Sequence, residues 1–154
     1  MCDDESTASA TRVGFVHMQE AVKEEDEPEI LMDCGSTISL FRDKRFLKGL
    51  REARRNLKMN TNAGSKWISQ VGNVPGYGPV YYDGEAISNL FSMSEVINRG
   101  CRVSFDSNIE NTIMVHLRGG EVIWFPANAK GLYVKEKEKE MDCRRAKVNH
   151  NIIP

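Results

Sequence analysis

A mainly β, single-domain protein is what this sequence predicts, on three observations. Short β-favouring runs separated by glycine- and proline-containing turns fill the chain from Leu57 onward, apolar and polar residues alternate in its last third, and one segment alone carries a helical apolar spacing. At 154 residues the chain suffices for one domain with a real core and is too short for two of ordinary size.

Residues 1–28 form an acidic lead-in. Over residues 1 to 29 nine acids stand against Arg12 and Lys23. Apart from the short apolar piece Val13 to Met18 this segment has little to bury, so a flexible lead-in is expected. Folded character begins at Glu29-Ile30. Ile30-Leu31-Met32 is short, purely apolar and closed by a glycine-containing turn, the pattern of a buried strand. Within residues 42 to 58, Phe46, Leu50, Ala53 and Leu57 follow one another at spacings of four, three and four, which predicts a helix with one apolar stripe. The same segment holds eight basic residues and two acids.

A turn at Asn62-Ala63-Gly64-Ser65 leads to the β-favouring piece Trp67 to Val71, and GNVPGYGPVYYDG then reads as short strands and loops. Val103 and Phe105 alternate with polar neighbours. Ile113, Val115 and Leu117 do the same before Gly119-Gly120, and Val122 and Trp124 complete a hairpin. Residues 131–134, GLYV, supply a last strand. The domain therefore spans 29–134, and the charged tail 135–154 is expected to be a solvated helix or disordered.

Composition excludes several classes. A formal net charge of -1 gives no global drive toward nucleic acid or anionic membrane, so any polyanion site must be local. No apolar stretch reaches the ~18 residues of a membrane span, and MCDDESTASA lacks the basic and apolar regions of a secretory signal. An intracellular, cytoplasmic protein is expected. Cys2, Cys34, Cys101 and Cys143 form no CxxC pair and lie at no zinc-ligand spacing from His17, His116 or His150, so free thiols are expected, with no metal and no other cofactor.

The chemistry-bearing motif is Asp33-Cys34-Gly35-Ser36. It sets an acid at the end of a buried strand, followed by a glycine that lets another backbone approach closely. Two such carboxylates brought together cannot both ionise. They share a proton, one acting as base toward water while the other donates to a substrate carbonyl. The same residues also fit an aspartate that ends a strand and caps its own turn.

Further along, Asn89-Leu90-Phe91-Ser92-Met93-Ser94-Glu95-Val96 and Gly100-Cys101-Arg102-Val103-Ser104-Phe105 match blocks of the form N-(I/L)-L-S-(V/M)-S-x-(L/V) and G-x-x-V-x-F. With Asp33, the turn at Gly64 and the terminal GLYV, in that order, residues 12 to 134 resemble the protease region of copia-type retrotransposon polyproteins, a branch of the retropepsin-like aspartic proteases. The resemblance implies a retropepsin-like closed β-barrel, the acid protease fold, with one or two short helices. It implies Asp33 as the catalytic carboxylate and Cys34, Gly35 and Ser36 as the active-site turn, with Gly35 permitting its tightness.

Neither Asp83 in DGE nor Asp106 in DSN repeats the Asp-x-Gly order, so the second carboxylate would come from a second copy in a twofold homodimer. The implied substrate is the chain's own polyprotein. The hairpin from Asn62 to Val71 would be a flap, with Gly64 at its tip and Trp67 or Ile68 closing over substrate. A plain surface hairpin with Trp67 in the core fits the same residues.

Two positions depart from the family's D-(S/T)-G-A pattern. Cys34 replaces the Ser or Thr whose hydroxyl links the two loops across the dimer, and a thiol is a weaker donor, leaving Ser36 or Thr37 to compensate. Ser36 replaces a small apolar residue. Asn89 stands where more distant retropepsins carry glycine.

Two other readings stay open: a catalytically silent dimerisation or binding module, which Cys34 favours, and an RNA-associated domain using the cations of Arg42 to Lys58. A solvated face is the simpler account of those cations, because no base-stacking aromatics are interleaved with them. His116 falls on the outward phase of its strand. Leu90, Phe91, Met93 and Val96 read as core.

Overall fold

The computed structural model describes residues 11–15, 28–137 and 141–142. Among them are eleven strands: β1 Thr11–Phe15, β2 Ile30–Asp33, β3 Leu40–Phe41, β4 Lys48–Thr61, β5 Gly64–Val74, β6 Gly78–Tyr82, β7 Asn89–Ser92, β8 Arg102–Asp106, β9 Glu110–His116, β10 Val122–Pro126 and β11 Tyr133–Val134. The α-helix α1 spans Met93–Asn98, and a 3-10 turn covers Lys44–Phe46. The mainly β expectation holds.

Eight strands form one sheet in the order β1-β4-β5-β6-β3-β7-β2-β11, and three form a second in the order β10-β9-β8. The strand expected at Ile30-Leu31-Met32 lies inside the large sheet, parallel to β7 and antiparallel to β11. Its residues alternate between two cores, as strand geometry requires. Ile30 and Met32 join Phe41, Val80, Phe91, Val96, Ile113, Val115, Leu117 and Phe125, where the three-stranded sheet packs on the larger one. Leu31 joins Ile38, Leu40, Leu57, Met59, Ile68, Tyr81 and Leu90 on the other side. Phe91 organises the first core through edge-to-face contacts with Tyr77, Phe41 and Phe125, at centroid separations of 4.9, 5.2 and 6.2 Å.

The closed barrel expected from the resemblance is not formed among the described residues. β1 and β11 end the eight-strand order at opposite edges, because β1 pairs with the outer edge of β4 and extends the sheet away from β11.

The helix expected between residues 42 and 58 is also corrected. Beyond the 3-10 turn this segment is β4, paired antiparallel with β5. Two irregularities explain the misleading pattern. Between Lys48 and Arg51 the strand advances three residues against two on β5, where Gly49 adopts φ +65, and between Glu52 and Leu57 it advances five against two. Each bulge shifts the phase of the apolar residues, so a period of two becomes a spacing that imitates a helix. Leu57 is fully buried, whereas Leu50 is 40% exposed.

The helix that does form, α1, follows β7. Ser92 caps it by accepting a hydrogen bond from the Glu95 amide at 3.2 Å, and Gly100, at φ +90, lets the chain leave it. The hairpin expected from Ile113 to Trp124 is present as β9–β10, and GLYV contributes β11. The lead-in needs one correction, since Thr11–Phe15 is a sheet strand. Most of the remaining lead-in and of the tail lies outside the described residues, although Met141 and Asp142 are helical.

Candidate functional site

Asp33 closes β2 and is 8% exposed. Both of its carboxylate oxygens are engaged from within the turn that follows. The Gly35 amide donates to Oδ1 at 2.8 Å, and the Ser36 hydroxyl donates to Oδ2 at 2.6 Å. A carboxylate held at both oxygens has its orientation set before any partner arrives.

The turn is fastened to the β7–α1 unit. Asp33 lies opposite Ser92 in the parallel register of β2 and β7. The Ser92 hydroxyl donates to the Ser36 carbonyl at 2.7 Å while it caps α1, and the Ser92 amide donates to Ser39 Oγ at 3.0 Å. Asn89, buried at the start of β7, ties the flanks together. Its Oδ1 accepts from the amides of Arg42 and Asp43, at 2.9 and 2.8 Å, and its Nδ2 donates to the Glu29 carbonyl at 3.1 Å. A glycine could make none of these bonds.

Glu95 continues the support inward and is 5% exposed. It accepts from the Tyr77 hydroxyl at 2.8 Å and from the Ser39 amide at 3.4 Å, and pairs with Arg99 at 3.4 Å. Arg99 lies over the Tyr77 ring, 4.7 Å from its centroid. Burial, and then the Glu95 charge, hold the Tyr77 phenol well above its ordinary pKa.

Cys34 is exposed, its Sγ 3.8 Å from Met93 Sδ at the start of α1. Burial of part of the thiol, followed by the Asp33 charge, pushes its pKa up, so the thiol form is favoured.

The hairpin expected to act as a flap is β4–β5. Its two-residue turn, Asn62-Ala63, is braced by Thr61, whose hydroxyl donates to the Gly64 carbonyl and accepts from the Ala63 amide, both at 3.1 Å. The tip residues Thr61, Ala63, Gly64, Ser65 and Lys66 form one wall of a cavity of about 320 Å3, and the stretch from Asp83 to Ser88 forms the other. Leu40, Met59 and Leu90 floor it.

These three belong to the same core as Leu31, and strand alternation puts Asp33 on the Leu31 face of β2. The cavity and the carboxylate thus share a face, although neither Asp33 nor residues 34 to 36 line the cavity. Trp67 and Ile68 do not line it either. Trp67 points outward and is 57% exposed, and Ile68, on the opposite face of β5, is buried in the core.

Lys66 reaches across the cavity mouth to Asp83 at 2.9 Å and Glu85 at 2.6 Å. Hydrogen bonds to Glu85, then to Asp83, raise its pKa. On the second sheet, His116 contacts Ser104 Oγ at 2.9 Å and Arg102 at 3.3 Å. Burial, and then the Arg102 charge, lower its pKa. Among the described residues no group of three or more His, Cys, Asp or Glu side chains is placed to hold a metal ion, and no helix is long and apolar enough to cross a membrane.

The structure therefore brings Asp33, Gly35 and Ser36 together, turns Cys34 outward, and places Gly64 at the cavity with Lys66. Sequence reasoning placed Ser36 in the turn and allowed Asp33 to cap it, but missed the roles of Ser92, Glu95 and Lys66. Ser92-Met93-Ser94-Glu95 has the S-x-x-E form of a helix start, a local signal that would have marked Ser92 as a cap. Comparison with protein-family models, curated proteins and solved structures finds no match to this chain.

Proposed function

We propose that this chain is a retropepsin-like aspartic endopeptidase of a copia-type element, acting inside the cell as a homodimer on the polyprotein that contains it. The observation that carries the reading is the Asp33 carboxylate, set at the end of a strand buried on both faces and held by the Gly35 amide and the Ser36 hydroxyl.

Other carboxylates described near the site have different employment. Asp43 pairs with Arg45, Asp83 with Lys66, and Glu95 with Arg99. The second acid of a dyad is therefore Asp33 of a second copy. One Asp33 takes a proton from water as the oxygen attacks the peptide carbonyl carbon, and the other gives its proton to the carbonyl oxygen. Collapse of the resulting gem-diol breaks the C–N bond and returns a proton to the amine, leaving a carboxyl and an amino terminus. The β4–β5 hairpin and its cavity supply walls for the polypeptide on the same face.

The test is cleavage of a concatenated precursor across roughly pH 4 to 7, where a shared-proton dyad works. Wild type should cut, and Asp33→Asn should lower the rate by at least about 10²-fold. A wild type inert across that range rules the reading out.

One observation favours a second reading, a catalytically silent dimerisation module. Cys34 offers a raised-pKa thiol, directed at Met93, where the family has a hydroxyl. A stable dimer with no cleavage would support it. Binding of RNA through the exposed cations of β4 would instead survive Asp33→Asn and weaken steeply with salt.

A further inference from the structure

The β1 strand is attached in an uncommon way. Parallel neighbours in a sheet are usually buried on both faces. Here Thr11, Arg12 and Val13 are exposed, Val13 by 62%, and Gly14 is buried. The strand runs from Thr11 opposite Asn56 to Phe15 opposite Asn60, along the edge of β4 that faces away from β5. Its described attachment includes a five-residue main-chain register, the Arg12 guanidinium 5.9 Å from the Tyr81 ring centroid, and a close contact at Gly14.

That contact needs the absence of a side chain. A Cβ on Gly14 would lie 2.8 Å from Ile38 Cγ2 and 3.1 Å from Leu57 Cδ1. Ile38 stands five residues beyond Asp33, on the segment that leaves the Asp33 turn, and belongs to the core that floors the cavity. The edge of β4 from Asn56 to Asn60 thus runs beside the segment leaving the turn, and whatever strand lies on it is sandwiched between that segment and the hairpin. Main-chain pairing along an exposed edge accepts any extended peptide, and the side-chain pockets beside it select the sequence.

We propose that this edge of β4 is a groove for an extended polypeptide, that β1 is its intramolecular occupant, and that the groove requires glycine at the position facing Ile38 and Leu57. Substrate and β1 then compete for one edge. That consequence for turnover rests on the endopeptidase reading, whereas exchange of the strand does not.

The test uses the full chain and a labelled synthetic peptide spanning residues 9–17, with the same peptide carrying Gly14→Val as its control. Tethered segments compete at effective concentrations of roughly millimolar, so excess peptide is titrated through that range while amide exchange is followed. Exchange of strand is expected to strip protection from the chain's own residues 11–15 and to leave Asn56 to Asn60 protected. In the full-length Gly14→Val variant the wild-type peptide should bind at least about tenfold more tightly than to wild type, and the control peptide should not bind.

Residues 11–15 that stay protected at saturating peptide overturn the proposal, as does a folded Gly14→Val chain with no gain in binding. If that variant loses its cooperative melt, the displacement measured on wild type decides. Precursor cleavage separates the two readings. Strand exchange without cleavage leaves the groove standing and removes the endopeptidase, and cleavage without exchange does the reverse.

Discussion

Ser36 donates its hydroxyl proton to Asp33 Oδ2 at 2.6 Å, and both residues are buried. Ser36→Ala removes this donor and leaves one carboxylate oxygen with no partner from the turn. A hydrogen bond to a charged group contributes about 1.5–3 kcal/mol, so urea unfolding should show a loss in that range. On the proposed endopeptidase reading, cleavage should fall less than in Asp33→Asn, because the Gly35 amide still orients the other oxygen. Equal loss in both variants would mean that Ser36 does more than position Asp33.

Ser92 serves two elements through one hydroxyl, capping α1 and donating to the Ser36 carbonyl. Loss of a serine cap costs about 0.5–2 kcal/mol. Ser92→Ala should exceed the typical ~1 kcal/mol of a cap, because a buried carbonyl loses its donor as well. Denaturant midpoints at unchanged m-value check this, and Ser92→Thr should restore part of the loss.

The Tyr77–Glu95–Arg99 network carries an alkaline dependence. The Tyr77 phenol keeps its proton to higher pH in the folded chain than in the unfolded one. Its contribution is therefore full below the ordinary tyrosine value of 10.0 and declines as pH rises past it. Unfolding free energies measured from pH 8 to about 11 should bend downward above that value, and Tyr77→Phe should flatten the bend while lowering stability throughout, since Glu95 loses a donor.

Lys66 acts on the hairpin tip more than on the whole domain. Its ion pairs to Asp83 and Glu85 are partly exposed, and such pairs contribute about 0–1 kcal/mol. Lys66→Met should leave the melting transition nearly unchanged while speeding amide exchange from Thr61 to Lys66. High salt should mimic the variant. The raised lysine pKa places the alkaline loss of this contact above 10.5, not below it.

Leu57 is fully buried and meets both Gly14 and the second core. Leu57→Ala should cost about 2–5 kcal/mol by the usual cavity cost. It should also open space beside Gly14, so that Gly14→Val becomes less disruptive in the double variant than alone. Additive effects in a double-mutant cycle would argue against direct contact.

How much of this was legible follows from which interactions are local. Ile30-Leu31-Met32-Asp33 could be read as a doubly buried strand ending in an acid because four consecutive residues carry that pattern. In the block from Asn89 to Val96 the apolar residues could be read as core, while the helix start at Ser92 was not read although its S-x-x-E signal is equally local. The β4 strand could not, because its bulges are set by pairing with β5 and break the alternation that identifies a strand. Trp67 and Ile68 are neighbours on one strand, and only the packing of β5 decides that Ile68 turns in and Trp67 out.

Hydrophobic period and turn residues encode directly a mainly β domain, the place of Asp33 at the end of a buried strand, and the closing strand at Tyr133–Val134. Packing between distant segments alone sets that Ser92 ties the turn to α1, that Lys66 spans a cavity, and that β1 lies on β4, whereas the Gly35 and Ser36 bonds to Asp33 are local to the turn. Contacts between residues far apart in the chain depend on register and strand order, which no local pattern of residue types specifies.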